Sequence, residues 1–481
     1  MIIELKSTVS MMMVSCRRPR SLGLLLLSAM LFQASVSAQA DNIKEALSHS
    51  YLANPQLNAQ RANTRAVDEV MPQARGQWLP QASGQANAGI MNQNLLASRY
   101  DESVYGRDGV DQKTITNPIG ATGVVSWNIF NGFRGVNGIN QAAAQIHQSR
   151  EILRNMELQV LQQAAGVYMG LLADIAIYDA QSKYVAFLEK QLNDMTDLYN
   201  GGELSITDVN QTKNYMFQGK ANKVQYYIRL QASLAAYKQV IQSAPVKLEP
   251  AKPIDHLIPA NLKDAIRYAD SNNPAIIAAR YNVEINTFAV KIAEGALAPT
   301  VSAQTSIGQN WNYFGTTNQR LYQGSGSIQL NVPLYEGGIY YSQVRQAKEK
   351  LGEAELLYDQ QVNQTHQQVE ASWAAYQNAQ KVLEAAKKEV KYGDEALQGM
   401  REEFKFGSRS IFDILYTQQR LIQARIEFIQ SQKERVVSSY NLLAAIGGLS
   451  ASTLDLDVPH YMATDHYDRV KNQFFGLEPW K

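Results

Sequence analysis

The sequence predicts a mainly α-helical chain with a transmembrane β-barrel contribution of four strands. Three observations predict it. The chain is written twice. Each copy holds two stretches of about ten residues that alternate strictly with period two. Each copy also holds a proline-free stretch, residues 134–200 and 339–406, with an apolar residue at nearly every seventh position.

The repeat shows first in paired positions. Asn54-Pro55 recurs as Asn273-Pro274, Arg61 and Asn63 as Arg280 and Asn282, Gly76 as Gly295, Pro80 as Pro299, and Gly89 as Gly308, all at an offset of 219. A second series has an offset of 205: Gly132 with Gly337, Gln141-Ala142 with Gln346-Ala347, Gly202 with Gly407, and Ser205-Ile206 plus Asp208 with Ser410-Ile411 plus Asp413. The change of offset places 14 extra residues in the first copy, in the polar stretch around Arg99–Lys113. The expected organisation is residues 1–40 as signal peptide, 41–243 as repeat one, 244–262 as a linker with Pro245, Pro250, Pro253 and Pro259, 263–448 as repeat two, and 449–481 as a tail, a candidate collar.

The N-terminal element is a targeting segment. Arg17, Arg18 and Arg20 precede the apolar run Leu22–Phe32, and small residues lead to Ala38 and Ala40, either of which suits cleavage. That run is too short to cross a bilayer, and no later run reaches about 18 apolar residues. Translation starts at Met1 or at one of Met11, Met12 and Met13. Cys16 is the only cysteine, so a form without the N-terminus has no disulfide, thiolate zinc site or cysteine nucleophile. With 45 Lys+Arg against 44 Asp+Glu, the chain lacks the basic surplus of a nucleic-acid binder.

Asn54-Pro55 and Asn273-Pro274 read as a helix cap followed by proline at the first helical position. The helices they start should end near Gly76 and Gly295. After Pro80, Gln81, Ser83, Gln85 and Asn87 alternate with alanine and glycine; the return places Ala121, Gly123, Val125, Trp127 and Ile129 on one face. In the second copy Val301, Ala303, Thr305 and Ile307 share a face, as do Gly324, Gly326, Ile328, Leu330 and Val332. Tilted strands of this length span an outer membrane, and a polar second face suits a water-filled lumen. A soluble hairpin would alternate in the same way. If the strands span, four are too few to close a barrel, and lipid does not tolerate open edges, so several chains must contribute.

In the second long segment Val362, Val369, Tyr376, Leu383, Val390, Leu397, Phe404 and Ile411 are seven apart. In the first, Ala164, Leu171, Tyr178, Val185, Leu192, Tyr199 and Ile206 match, and Glu157 breaks the series where Val362 stands. Such a repeat makes rods of about 100 Å that supercoil left-handedly. Helices over about Ile206–Ile241 and Ile411–Ile446 return along them.

These features together resemble the TolC family of bacterial outer-membrane efflux and secretion channel proteins. The motifs that carry the resemblance are Ile129-Phe130-Asn131-Gly132-Phe133, Leu334-Tyr335-Glu336-Gly337-Gly338, Ile206-Thr207-Asp208-Val209 and Phe406-Gly407-Ser408-Arg409-Ser410-Ile411-Phe412-Asp413-Ile414. The resemblance implies a homotrimer with a 12-stranded barrel in outer-membrane lipid, continued by a coiled-coil periplasmic tunnel. It implies docking to a periplasmic adaptor and an inner-membrane ABC or RND transporter, for type I secretion or multidrug efflux. It also implies a periplasmic gate at the tips. Arg409 falls where the family bonds the neighbouring hairpin near Thr207 and Asp208, Phe404 where relatives carry a tyrosine, and Asp413 where a carboxylate ring forms at the constriction. Tyr416 stands where members often carry a second acid. The tip turns Gly201, Gly202, Gly407 and Ser408 are the expected adaptor-docking elements. Without the resemblance, the runner-up is a structural helical rod of the envelope.

Catalysis finds little support. His49, His147, His256, His366, His460 and His466 show no pair at metal-ligand spacing on one helix, and neither a phosphate loop nor a nucleophile elbow is present. The expectation is no enzyme, no cofactor and no resident metal.

Overall fold

The computed structural model describes residues 42–96, 111–312 and 320–477. The expected signal peptide, 1–40, lies outside the described residues, as do positions 99–110 of the polar stretch.

The described residues open with α1 (Ile43–Ala53), α2 (Pro55–Asp68) and α3 (Val70–Gly76). Strands β1 (Gln81–Ala88), β2 (Met91–Leu96), β3 (Asp111–Thr116) and β4 (Ile119–Asn131) follow, then α4 (Arg134–Asn200) and α5 (Ile206–Ile241). The second series is α6 (Leu262–Asn272), α7 (Pro274–Gly295), β5 (Thr300–Trp311), β6 (Arg320–Asn331), α8 (Ile339–Lys405) and α9 (Ile411–Ala445), with α10 (Ala463–Val470) in the tail.

Asn54 caps α2 by accepting from the N–H groups of Gln56 and Leu57, and Asn273 caps α7 by accepting from Ala275. Each asparagine also donates to the end of a returning helix: Asn54 Nδ2 to the Val240 carbonyl at 3.2 Å, Asn273 Nδ2 to the Ala445 carbonyl at 2.9 Å. One side chain thus starts a helix and ties down another. The single helix expected from Pro55 to Gly76 is divided into α2 and α3. Pro72 is the cause, because it lacks the N–H that would reach the Asp68 carbonyl. Lys291 occupies the corresponding place in α7, which runs unbroken.

The four main strands form one antiparallel sheet in the order β1-β4-β5-β6. Its register aligns Ala82, Val125, Thr305 and Gly326 across one face, with Trp127, Ala303 and Ile328 beside them. The other face carries Ser83, Val124, Ser306 and Ser325 in one row and Asn128, Ser302 and Gln329 in another. Ile307, Ile328 and Leu330 on the apolar face are 75%, 76% and 64% exposed, which a sheet wetted on both sides would not favour. The polar loop expected at Arg99–Lys113 is in part a strand: β2 and β3 pair as a separate ribbon that extends the first hairpin.

Helices α4 and α8 each contain 67 residues. The series Val362 to Ile411 is buried or half-buried throughout. In the first series Ala164, Leu171 and Val185 are buried, but Tyr199 and Ile206 are 41% and 49% exposed, so the expected stripe leaves the core near the turn. There Ile411, Ile414 and Leu415 of α9 fill the core against Leu188 and Met195 of α4. One stretch of α4 is long and apolar enough for a membrane span, with mean hydropathy 1.4, yet 56% of it is buried inside the chain. This is the bundle core, where Leu161, Ala164, Tyr168 and Leu171 meet Tyr237 and Ile241 of α5.

Glu157, which interrupts the seven-residue series, accepts the Ala451 N–H at 2.8 Å. Burial pushes its carboxyl above the usual range against that bond. The tail therefore has a polar anchor where an apolar residue would offer none. Further on, His466 Nδ1 lies 3.0 Å from Asp68 Oδ2, and Arg75 donates to the Lys471 carbonyl at 2.9 Å. Burial is also the main force raising the Asp68 carboxyl.

Candidate functional site

Both hairpin tips use one local design. At the end of α4 the Glu203 N–H reaches the Leu198 carbonyl and the Gly202 N–H the Tyr199 carbonyl, each at 2.9 Å. At the end of α8 the Ser408 N–H reaches Glu403 at 3.0 Å and the Gly407 N–H reaches Phe404 at 2.9 Å. This double closure needs a left-handed residue at its bend, and Gly202 (φ 80°) and Gly407 (φ 73°) supply it.

Each turn then starts the next helix with a capping box. The Asp208 carboxylate accepts from the Ser205 N–H at 3.1 Å and hydroxyl at 2.8 Å, while the Ser205 hydroxyl accepts the Asp208 N–H at 3.3 Å. Asp413 and Ser410 repeat the arrangement at 3.0, 2.9 and 3.3 Å. The Ser410 backbone and side-chain bonds hold the Asp413 carboxyl below the usual carboxylate range. Asp208 and Asp413 are thus helix starters as well as candidate gate acids. The Ser-x-x-Asp spacing is the signal for that role.

Within the chain, Arg409 does not meet Thr207 or Asp208. Its Nε donates to Glu403 Oε2 at 2.7 Å across its own turn, and this bond raises the guanidinium further above its ordinary value. Both partners are about half exposed, at 47% and 51%. Thr207, Gly201 and Ser408 are exposed. Phe404 is half-buried against the tip core, which accounts for an aromatic ring there without a hydroxyl.

Two features escape a residue-by-residue reading. Tyr215 of α5 and Phe412 of α9 lie 6.5 Å apart between ring centres, and Phe412 stacks on Tyr416 at 6.1 Å, so aromatic rings bridge the two hairpins. Just above, a cavity of about 250 Å³ separates the hairpins, lined by Tyr184, Tyr226, Gln419 and Arg420 among others. The rings thus add to the apolar core of Leu188, Met195, Met216, Ile411, Ile414 and Leu415 that already joins the two hairpins. Among the described residues no cluster of His, Cys, Asp and Glu suits a metal ion.

A two-faced sheet with open edges, set on paired 67-residue rods that end in capped turns, defines a channel-forming envelope protein. The sequence pattern of the family described as outer membrane efflux protein matches residues 46–243 and 265–448, and the chain belongs to that family. The family is one of transport channels rather than enzymes, and the membership disfavours the structural rod. The outer membrane efflux protein BepC of Brucella suis biovar 1 (strain 1330) is 31% identical over 442 residues, covering 92% of this chain and 93% of BepC. The outer membrane protein TolC of Escherichia coli (strain K12) is 22% identical over 446 residues, covering 87% and 84%. The CmeC outer membrane channel of Campylobacter jejuni superposes with a TM-score of 0.74 at 14% identity, over 89% of each chain.

Proposed function

We propose that three copies of this chain form a passive exit duct through the outer membrane, serving type I protein secretion, multidrug efflux or both. The observation that carries the reading is the sheet. It has one apolar face, one polar face and two unpaired edges, β1 and β6, so it reaches a lipid-compatible state only by joining further copies. Three copies bring twelve strands.

The internal repeat supports the same geometry. Inside the chain the β4–α4 turn interlocks with the end of α7: a Cβ on Gly132 would lie 2.2 Å from the Gly295 carbonyl oxygen, and one on Gly295 2.3 Å from that of Gly132. Their repeat counterparts, Gly337 and Gly76, face open space. The duct reading pairs Gly337 of one copy with Gly76 of the next, as β6 pairs with β1.

The tips form the periplasmic gate. Thr207, Asp208, Phe404, Arg409 and Asp413 hold the closed state, with Arg409 leaving Glu403 to bond the neighbouring hairpin. An Asp413 ring at the mouth favours cations. Gly201, Gly202, Gly407 and Ser408 shape the turns on which an adaptor docks, and Phe406, 83% exposed at the second turn, offers it an apolar anchor. Adaptor and inner-membrane transporter supply the energy, and their binding shifts the tip population towards open. Residues 1–40 direct export and are cleaved.

Single-channel currents in planar bilayers test this, with wild type beside Arg409→Ala. The duct and gate predict small, discrete conductance that rises in the variant. Equal currents would remove Arg409 from the lock, and none from well-folded trimers would favour a rod.

A further inference from the structure

The described part of the tail carries an exposed apolar group beyond α10. Phe474, Phe475 and Leu477 are 48%, 93% and 101% exposed, three apolar residues within four positions where burial would be expected. Their place in the fold follows from chain direction. His466 pairs with Asp68 and the Lys471 carbonyl with Arg75, so α10 runs parallel to α2 and α3. That is the direction in which the chain enters β1 at Gln81. The segment after α10 is carried towards the junction of helices and strands. Trp78 and Trp127 stand there, each 42% exposed and joined by a 3.0 Å bond from the Trp127 indole to the Trp78 carbonyl.

The charges on α10 sort in the same sense. Lys471 neutralises Asp468 at 2.7 Å, and Asp465 lies in the first turn, at the far end of the helix. Arg469 in the last turn is exposed and has no carboxylate partner among the described residues. Aromatic residues a few positions after an exposed cation, in a segment directed towards the base of the sheet, match the chemistry of a phospholipid interface.

We infer that Phe474, Phe475 and Leu477 form a foot that seats in the periplasmic leaflet of the outer membrane, with Arg469 against lipid phosphates. The inference rests on reading the sheet as a membrane wall. The foot braces the rods against the bilayer outside the barrel, where torque from opening tips would otherwise load the strand–helix turns alone.

Depth-dependent quenching tests it on the full chain with Cys16→Ser. Single cysteines at Phe475, at Ile328 on the apolar sheet face and at Tyr392 on the exposed face of α8 carry a bimane label. Vesicles of phosphatidylethanolamine and phosphatidylglycerol contain lipid brominated close to the headgroup. The foot predicts about a twofold loss of emission at 475 and 328 and none at 392. Loss at 328 with 475 matching 392 overturns the foot and leaves the barrel. A 475 label shielded from aqueous iodide yet untouched by bromolipid overturns it too, in favour of cover by another protein surface. No loss at 328 removes the membrane wall, and the foot with it. Phe474→Ser/Phe475→Ser/Leu477→Ser with Arg469→Gln should leave assembly intact and abolish protection of the tail from protease in vesicles; unchanged protection counts against the foot.

Discussion

Arg409 has two possible partners, and the chain itself holds one of them. The Glu403 carboxylate lies 2.7 Å away, so a bond to a neighbouring hairpin must compete with it. Both groups are about half exposed, where such a pair contributes little, so the competition is close. Glu403→Gln is therefore expected to strengthen the closed tip and lower the open probability in bilayer recordings. The same change on an Arg409→Ala background should do nothing; an equal effect there would show that Glu403 acts elsewhere. Glu157 is a residue of another kind. Glu157→Ala strands the Ala451 N–H and should cost about 1–3 kcal/mol by thermal denaturation. Glu157→Gln keeps the acceptor without a charge to bury. Because burial raises the Glu157 carboxyl, its contribution is full below the ordinary value of 4.5 and is lost as pH rises through the raised one. The stability of wild type relative to the glutamine variant should fall over that window, and a flat difference would contradict the assignment.

At the scale of elements, the tips are two short turns that stop one helix and start the next within a few residues. Asp413 sits in the capping box with its carboxyl held down, so its contribution is present above the ordinary value of 3.8 and is lost as pH falls through the lowered one. Acidification into that range should fray the first turn of α9 before the rods melt, visible as faster amide exchange at residues 411–414. Ser410→Ala should produce the same fraying at neutral pH, at a cost of about 1 kcal/mol. Ser205→Ala, which removes the matching cap of α5, should fray that helix start in the same way at neutral pH. Ile411 and Ile414 of the first turn of α9 share a buried core with Leu188, Met195 and Leu397 of the rods, while the cavity between the hairpins leaves room beside it.

At the scale of the molecule, the two halves of the chain meet inside it as copies are proposed to meet outside it. Gly295→Ala drives a Cβ into the Gly132 carbonyl and should destabilise the isolated chain. Gly76→Ala meets nothing in the isolated chain and should fold normally, yet block assembly against Gly337 of the next copy. Light scattering on purified protein, together with melting curves, separates the two outcomes. Trimers formed by Gly76→Ala would mean that the outer contact does not copy the inner one.

The local layer of this architecture was legible in sequence because it rests on local causes. Glycines at C-caps, Asn-Pro at helix starts, the absence of proline and the period of apolar residues located α4, α5, α8 and α9 to within a residue or two at either end. Alternation placed the four main strands and assigned their apolar face. Tertiary structure decided what depends on groups distant in sequence: the second bond of Asn54 and Asn273 to returning helices, the use of Glu157 as a tail anchor, the ring bridge from Tyr215 to Tyr416, and the preference of Arg409 for Glu403. The break at Glu69 was also written in the sequence, because Pro72 lies deep inside the expected helix, where it has no N–H to give the Asp68 carbonyl. Periodicity reports which face of an element is apolar; only the assembled chain shows what that face, and each charge beside it, finds to touch.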